Sequence, residues 1–286
     1  ISEYWGRRID QNQKPKISFE LFPPKSDSAN KLLKKTHQKL SEINPDYFSV
    51  TFGALGLSQN DTFDTVADLS ENTKIPIIPH LTCVGIDKKQ VTDLLDEYIA
   101  QGVNQIMVLK GDYPKTIIKK GDFNYANEMV EFIKENYLDI NILVAAYPEK
   151  HPHSNCISKD IDFFVNKVNA GADEAVTQYF YNIDAYLHFI EEVQKRNIDI
   201  PITPGIMPIT NYDQLIYFSK ACGAEIPAWI LNKLKLYKND LNSLKEFGED
   251  VVSEMCLKLK DNGVSSFHFY CLNKAEPTLS IVKKIT

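Results

Sequence analysis

The chain is 286 residues long, 43% hydrophobic and 24% charged, which suits one large α/β domain with a sizeable core. Its 32 Lys and Arg against 38 Asp and Glu give a net charge of −6, which argues against general nucleic-acid or anionic-membrane binding but leaves room for a local basic pocket. No apolar run approaches the ~20 residues that span a bilayer, and the polar N-terminus lacks a signal-peptide core, so the cytoplasm is the expected address.

Apolar, β-branched segments alternate along the chain with helix-length polar stretches. They cover 17–22, 47–52, 75–82, 105–110, 141–147, 175–180, 202–206 and 266–272. Eight such parallel βα units predict a closed (βα)8 TIM barrel, here one domain over 1–286. The first helix is expected over 26–43, with Leu32, Leu33, Leu40 and Ile43 at helical spacing and Ser26 or Asp27 as N-cap. Another is expected over 87–100, capped by Asp87, with Val91, Leu94, Leu95, Tyr98 and Ile99 on its apolar face. Between strands seven and eight lie short helical stretches at 212–221, 228–238, 240–247 and 250–262. The last two read as separate helices or as one broken helix. Extra helices there either close over a ligand or decorate the packing.

A barrel assembles its active site at the C-terminal ends of its strands. The groups there are Glu20, Thr51, His80, Lys110 with Asp112, Tyr147, Gln178 and Tyr270. Alternation puts Ser18, Glu20 and Phe22 on one face of strand one. A carboxyl among aromatics, followed by Pro23-Pro24, would be partly desolvated, which raises its pKa and fits it for general acid work. A solvated strand-end carboxylate is the bland alternative. Asp112, after Gly111, either projects over the mouth or bonds its own turn. Lys110 raises the idea of a Schiff-base lyase, though Asp112 beside it would favour the charged amine. Gln178 can read a ring edge that shows both a donor and an acceptor. Tyr147 and His151 could stack on a flat ring or bond a phosphate.

The five cysteines are widely spaced without a CxxC pair, so reduced structural thiols are expected, and His80, Cys83, His151 and His153 make only a weak zinc pattern. Neither a Rossmann nor a P-loop glycine motif is present, so any dinucleotide must sit in the barrel mouth. A non-catalytic ligand-binding barrel is a further alternative.

Several strings then run in one order from Ser18 to the C-terminus. They are Ser18-Phe-Glu-Leu-Phe-Pro-Pro-Lys, Ser49-Val-Thr-Phe-Gly-Ala, His80-Leu-Thr-Cys-Val-Gly, Leu109-Lys-Gly-Asp-Tyr-Pro and Ala145-Ala-Tyr-Pro-Glu-Lys-His-Pro. Lys167-Val-Asn-Ala-Gly-Ala-Asp, Ala175-Val-Thr-Gln-Tyr-Phe, Pro204-Gly-Ile-Met-Pro-Ile-Thr-Asn-Tyr and Phe267-His-Phe-Tyr-Cys-Leu-Asn-Lys-Ala complete the series. Together they resemble the methylenetetrahydrofolate reductase family, bacterial type. That resemblance implies a barrel that reduces 5,10-methylenetetrahydrofolate to 5-methyltetrahydrofolate for methionine synthesis. Electrons would pass from NADH or NADPH through non-covalent FAD, in a ping-pong cycle.

By the resemblance, Glu20 is the general acid and Asp112 the carboxylate near flavin N1 and the pterin. Thr51 matches a nicotinamide contact. Phe52, His80, Lys110, Gly111, Asp112, Ala126, Tyr147, His151, Asp160 and Lys167 match FAD contacts. Gln178 would serve folate and nicotinamide in turn, and Gln214, Phe218 and Lys274 match positions that hold folate or the stacked nucleotide. Lys110 and Lys274 stand where better-known members carry Arg, which turns bidentate recognition into point-charge recognition. Phe163 and Asn166 replace an Asn and an Arg expected near the flavin's adenosine and pyrophosphate. A homo-oligomer without the eukaryotic C-terminal regulatory domain is expected, and with it no control by S-adenosylmethionine.

Overall fold

A computed structural model describes residues 14–52, 59–111, 121–152, 154 and 156–286. Its strands are β1 Lys16–Leu21, β2 Tyr47–Val50, β3 Ile77–Thr82, β4 Gln105–Leu109, β5 Asn141–Ala146, β6 Glu174–Thr177, β7 Ile202–Thr203, β8 Gly205–Ile206 and β9 Ser266–Tyr270. All pairings are parallel, in the order β7-β6-β5-β4-β3-β2-β1-β9-β8.

The two ends of that sheet are one stretch of chain. β7 bonds to β6 and β8 bonds to β9, and only Pro204 separates them. Proline offers no N–H to a ladder, so the strand breaks there and each half serves a different neighbour. Residues 202–206 are therefore the seventh of eight barrel strands, split in two, and the barrel closes through the split. Thr177 stitches it: its Oγ1 accepts from Gly205 N at 2.9 Å and its carbonyl accepts from Tyr270 Oη at 2.7 Å. A Cβ on Gly205 would stand 2.1 Å from the Thr177 carbonyl oxygen, so only glycine fits.

The helices are α1 Asp27–Ser41, α2 Gln59–Ser70, α3 Lys88–Ala100, α4 Ala126–Asn136, α5 Ile157–Asn169, α6 Ile183–Gln194, α7 Tyr212–Cys222, α8 Ala228–Leu236, α9 Leu241–Asp261 and α10 Thr278–Ile285. Ser26 caps α1 through Ala29 N, and Asp87 forms a reciprocal capping box with Gln90 on α3. Leu33 and Leu40 are buried as expected, but Leu32 and Ile99 are exposed, one position off the inward stripe. The stretches 240–247 and 250–262 form one unbroken helix, α9. Gly248 at its middle does not break it: a Cβ there would lie 2.5 Å from the Ile209 carbonyl oxygen, so the glycine lets the helix pack against the chain just beyond β8. None of the described helices is long and apolar enough to cross a membrane.

The main core lies between the barrel and its helices, with Phe19, Leu21, Phe48, Val108, Ile142 and Phe269 fully buried. A smaller cluster of Ile78, Met107, Leu143 and Val176 fills one side of the barrel interior. Ser18, Ser49, His80 and His268 occupy the other side, all buried. The interior is thus apolar on one wall and polar on the other.

Candidate active site

Glu20 tops the polar wall at the end of β1. Its side chain is 23% exposed, and its Oε2 lies 3.8 Å from His80 Nε2, too far for a hydrogen bond. Burial drives Glu20 up to about 8 and His80 down to about 3. At neutral pH both groups are therefore uncharged, and the contact is an acid beside a neutral imidazole rather than an ion pair.

Beneath them, Ser18 Oγ sits 2.8 Å from His268 Nδ1. The Tyr47 ring stacks on His268 at 5.7 Å and Tyr270 meets it edge-on at 5.3 Å. Burial, with His80 nearby, holds His268 down at about 3. His80 Nε2, His268 Nε2 and Ser49 Oγ are buried without hydrogen-bond partners. Sequence reasoning did not single out Ser18, Ser49, Tyr47 or His268 as site residues, although alternation on β1 had already aligned Ser18 with Glu20.

The expected ring- and phosphate-binding residues gather at the ends of β5 and α5. Tyr147 and His151 pack edge to face at 4.7 Å, and His151 N donates to Asp160 Oδ2 at 2.8 Å. Lys167 Nζ donates to the Ala145 carbonyl and lies 6.0 Å over the Tyr147 ring. Burial brings Lys167 down to about 8, while Asp160 pulls the other way. Ala126 opens α4, whose N-terminus has no side-chain cap, and α5 starts equally uncapped at Cys156. Such termini present N–H groups to anions. Gly111, at φ +79°, has Thr82 Cβ 2.9 Å from where its own Cβ would be. Thr51 and Phe52 follow β2 and are half-buried.

Lys110 is exposed, with Nζ 5.1 Å over the Tyr125 ring. That is not the desolvated amine a Schiff-base enzyme needs. Cys83 Sγ donates to the Leu109 carbonyl, and burial pushes its thiol up to about 12. Asp112 and His153 lie outside the described residues. Phe163 and Asn166 are exposed on α5.

Gln178 follows β6, its carbonyl oxygen accepting from Tyr179 N at 3.0 Å, which leaves its amide NH2 to be donated. Gln214 stands in the first turn of α7, where Asn211 caps its N–H, and Phe218 lies a turn further on, half-buried. Lys274 is placed by Asn273. That residue is in the left-handed region and exchanges two hydrogen bonds with the Phe22 backbone at 3.0 and 2.9 Å. A cavity of about 750 Å³ brings Gln214 and Lys274 together with Asn211, Lys245, Glu249 and Glu276.

The family model described as methylenetetrahydrofolate reductase matches residues 6–286. The chain belongs to the methylenetetrahydrofolate reductase family. It is 38% identical to the 5,10-methylenetetrahydrofolate reductase of Buchnera aphidicola subsp. Schizaphis graminum, over 94% of this chain and 91% of that protein. The Escherichia coli K12 enzyme is 33% identical over 93% and 88%. Methylenetetrahydrofolate reductase (NADH) 1 of Arabidopsis thaliana matches at 29% over 98% of this chain but only 50% of its own length. Among solved structures, an uncharacterized protein from Clostridium thermocellum that binds two copies of 5-methyl-5,6,7,8-tetrahydrofolic acid superposes with a TM-score of 0.66. It is 18% identical and covers 96% of this chain and 95% of its own, a likeness that bears on the fold alone. Methylenetetrahydrofolate reductases are oxidoreductases, and Glu20 lies at the C-terminal end of a barrel strand, the end at which barrels build their active sites.

Proposed function

We propose that the chain is an FAD-dependent 5,10-methylenetetrahydrofolate reductase that takes electrons from NADH or NADPH and forms 5-methyltetrahydrofolate, a methyl source for methionine synthesis. The observation that carries the mechanism is Glu20: a strand-end carboxyl, reachable from the mouth, held protonated to about pH 8 by burial, with neutral His80 as its nearest titratable neighbour among the described residues.

The flavin site is tested by the residues around Tyr147. A ring-and-phosphate cofactor needs flat partners, a cation and backbone donors; Tyr147 and His151, Lys167, and the uncapped starts of α4 and α5 are of those kinds. Bound FAD would supply hydride transfer from the nicotinamide to the folate carbon. Glu20 donates its proton to the folate nitrogen so that the five-membered ring opens to an iminium, and neutral His80 leaves that proton unclaimed. By the resemblance Asp112 would lie at the flavin N1 edge, where its charge would disfavour the anionic reduced ring. Gln178 orients pterin and nicotinamide alternately, the basis for a ping-pong cycle. Gln214, Phe218 and Lys274 steer the tail of whichever substrate is present. Lys110 and Lys274 contribute point charges and no bidentate fork.

The deciding experiment is an anaerobic visible spectrum of the protein supplied with FAD. NADH should bleach the oxidised band, and methylenetetrahydrofolate should restore it. A flavin that bleaches but is not reoxidised by folate would remove the substrate from this reading, and no flavin binding would remove the cofactor. Asp112→Asn should raise the flavin potential, accelerating reduction and slowing reoxidation; an unchanged potential would overturn the N1 assignment.

A further inference from the structure

Glu149 has no part in the chemistry above, yet it is placed between the two halves of the mouth. It lies on the loop after β5, two residues past Tyr147 and two before His151. Its Oε2 accepts a hydrogen bond from Glu225 N at 2.8 Å, and Glu225 lies just beyond the C-terminal end of α7, the helix that carries Gln214 and Phe218. Its other oxygen, Oε1, is buried without a hydrogen-bond partner.

The surroundings make this a built junction. Gly223 ends α7 at φ +81°, and a Cβ there would lie 3.0 Å from both the Lys150 carbonyl oxygen and Pro152 Cγ. The loop therefore presses directly on the helix end. On the barrel side, Tyr179 Oη lies 3.1 Å from Ser219 Oγ of α7. Burial raises Glu149 to about 7; the Glu225 N–H lowers it and the Glu225 carboxylate raises it. A carboxylate this buried costs folding free energy unless a donor answers it, and the Glu225 N–H is that donor.

We propose that Glu149 is a positioning residue whose carboxyl clasps the loop bearing Tyr147 and His151 to the helix bearing Gln214 and Phe218, so that the flavin side and the substrate side of the mouth are held in one geometry. The clasp works because the Glu225 N–H lies past the last turn of α7, where it is spared from the helix and available to an outside acceptor. Without that acceptor the described contact between the helix end and the loop is the van der Waals approach at Gly223, and each can shift against the other. The inference rests on the flavin and folate reading of the mouth.

The test compares Glu149→Ala, which removes the acceptor, with Glu149→Gln, which keeps an oxygen for the Glu225 N–H. FAD affinity is read by flavin fluorescence and 5-methyltetrahydrofolate affinity by titration of the oxidised flavoprotein. Expected for Glu149→Ala is a 5- to 20-fold rise in both dissociation constants, with kcat at saturation within threefold of wild type. Glu149→Gln should restore both affinities to within twofold. Glu225→Pro, which deletes the donor and leaves the carboxyl, should reproduce the paired loss even if the alanine variant does not fold. Weakening of one ligand alone, unchanged affinities despite a lowered Tm, or a glutamine variant no better than alanine would each overturn the clasp. Failure of the flavin and folate reading itself would show in the wild-type protein, which would then bind neither ligand.

Discussion

Glu20 makes its environment measurable. A folded carboxyl at about 8 against 4.5 for the free group means that the folded state holds a proton the unfolded chain releases. Its neutral form is accommodated fully below pH 4.5, and stability is lost as pH rises from there through about 8. Glu20→Gln removes that loss. The variant is expected to match wild type in thermal stability at acid pH and to exceed it at pH 9 by on the order of 1–3 kcal/mol. Equal melting curves at pH 9 would show that the carboxyl is solvated. In activity the same change should slow reoxidation of the flavin by folate ~10²–10⁴-fold while sparing reduction by nicotinamide. The folate half-reaction in wild type should fall away as pH climbs past about 8, where the acid form is lost. The place of Glu20 at a strand end was legible in the sequence because one strand's alternation set its face and the two prolines after it set the strand's end. Reading His268 failed for the opposite reason: its meaning comes from Ser18 and Tyr47 on other strands, and no local pattern records which strands become neighbours.

Elements were most legible where hydrophobic period and end signals agree, as in α3 with its capping box and its buried Val91, Leu94, Leu95 and Tyr98. They were least legible where a glycine or proline serves packing rather than local conformation. Gly248 suggests a helix end by propensity, yet it marks the point where α9 passes the Ile209 carbonyl. Gly248→Ala should therefore destabilise by about 1–3 kcal/mol, as overpacking does, rather than stabilise as an ordinary helical Gly→Ala change would. Because Ile209 leads directly into the Asn211 cap of α7, the same variant should raise the folate KM. Urea unfolding and a KM determination check the two halves separately. Pro204 lies inside the strand expected over 202–206 and splits it into β7 and β8, a break that the apolar run does not record.

At the scale of the molecule, the eight-unit count and the closed barrel followed from alternation alone, because each βα unit repeats the same local pattern. The division of the interior into an apolar and a polar wall did not. It depends on which residues of β1, β2, β3 and β9 face one another after closure. Closure itself depends on Thr177, whose hydroxyl and carbonyl each bond across the split strand. Thr177→Val keeps the shape but orphans the buried Gly205 N–H, and should cost about 1–3 kcal/mol in chemical denaturation. An unchanged midpoint would mean that the seam is held elsewhere.

The pairing of β1 with β9 also bears on the making of the protein. Lys16 through Glu20 bond to Ser266 through Tyr270, nearly the whole length of the chain away. During synthesis the first strand leaves the ribosome early, and its outer edge must wait for β9, the last of the described strands, to be made. Throughout that interval the growing sheet has an open rim at β1, of the kind that invites pairing with other chains. The waiting edge carries Ser18 and Glu20 on its inward face, so the residues placed for proton chemistry also keep the unfinished barrel's longest-lived edge from being a plain apolar ribbon.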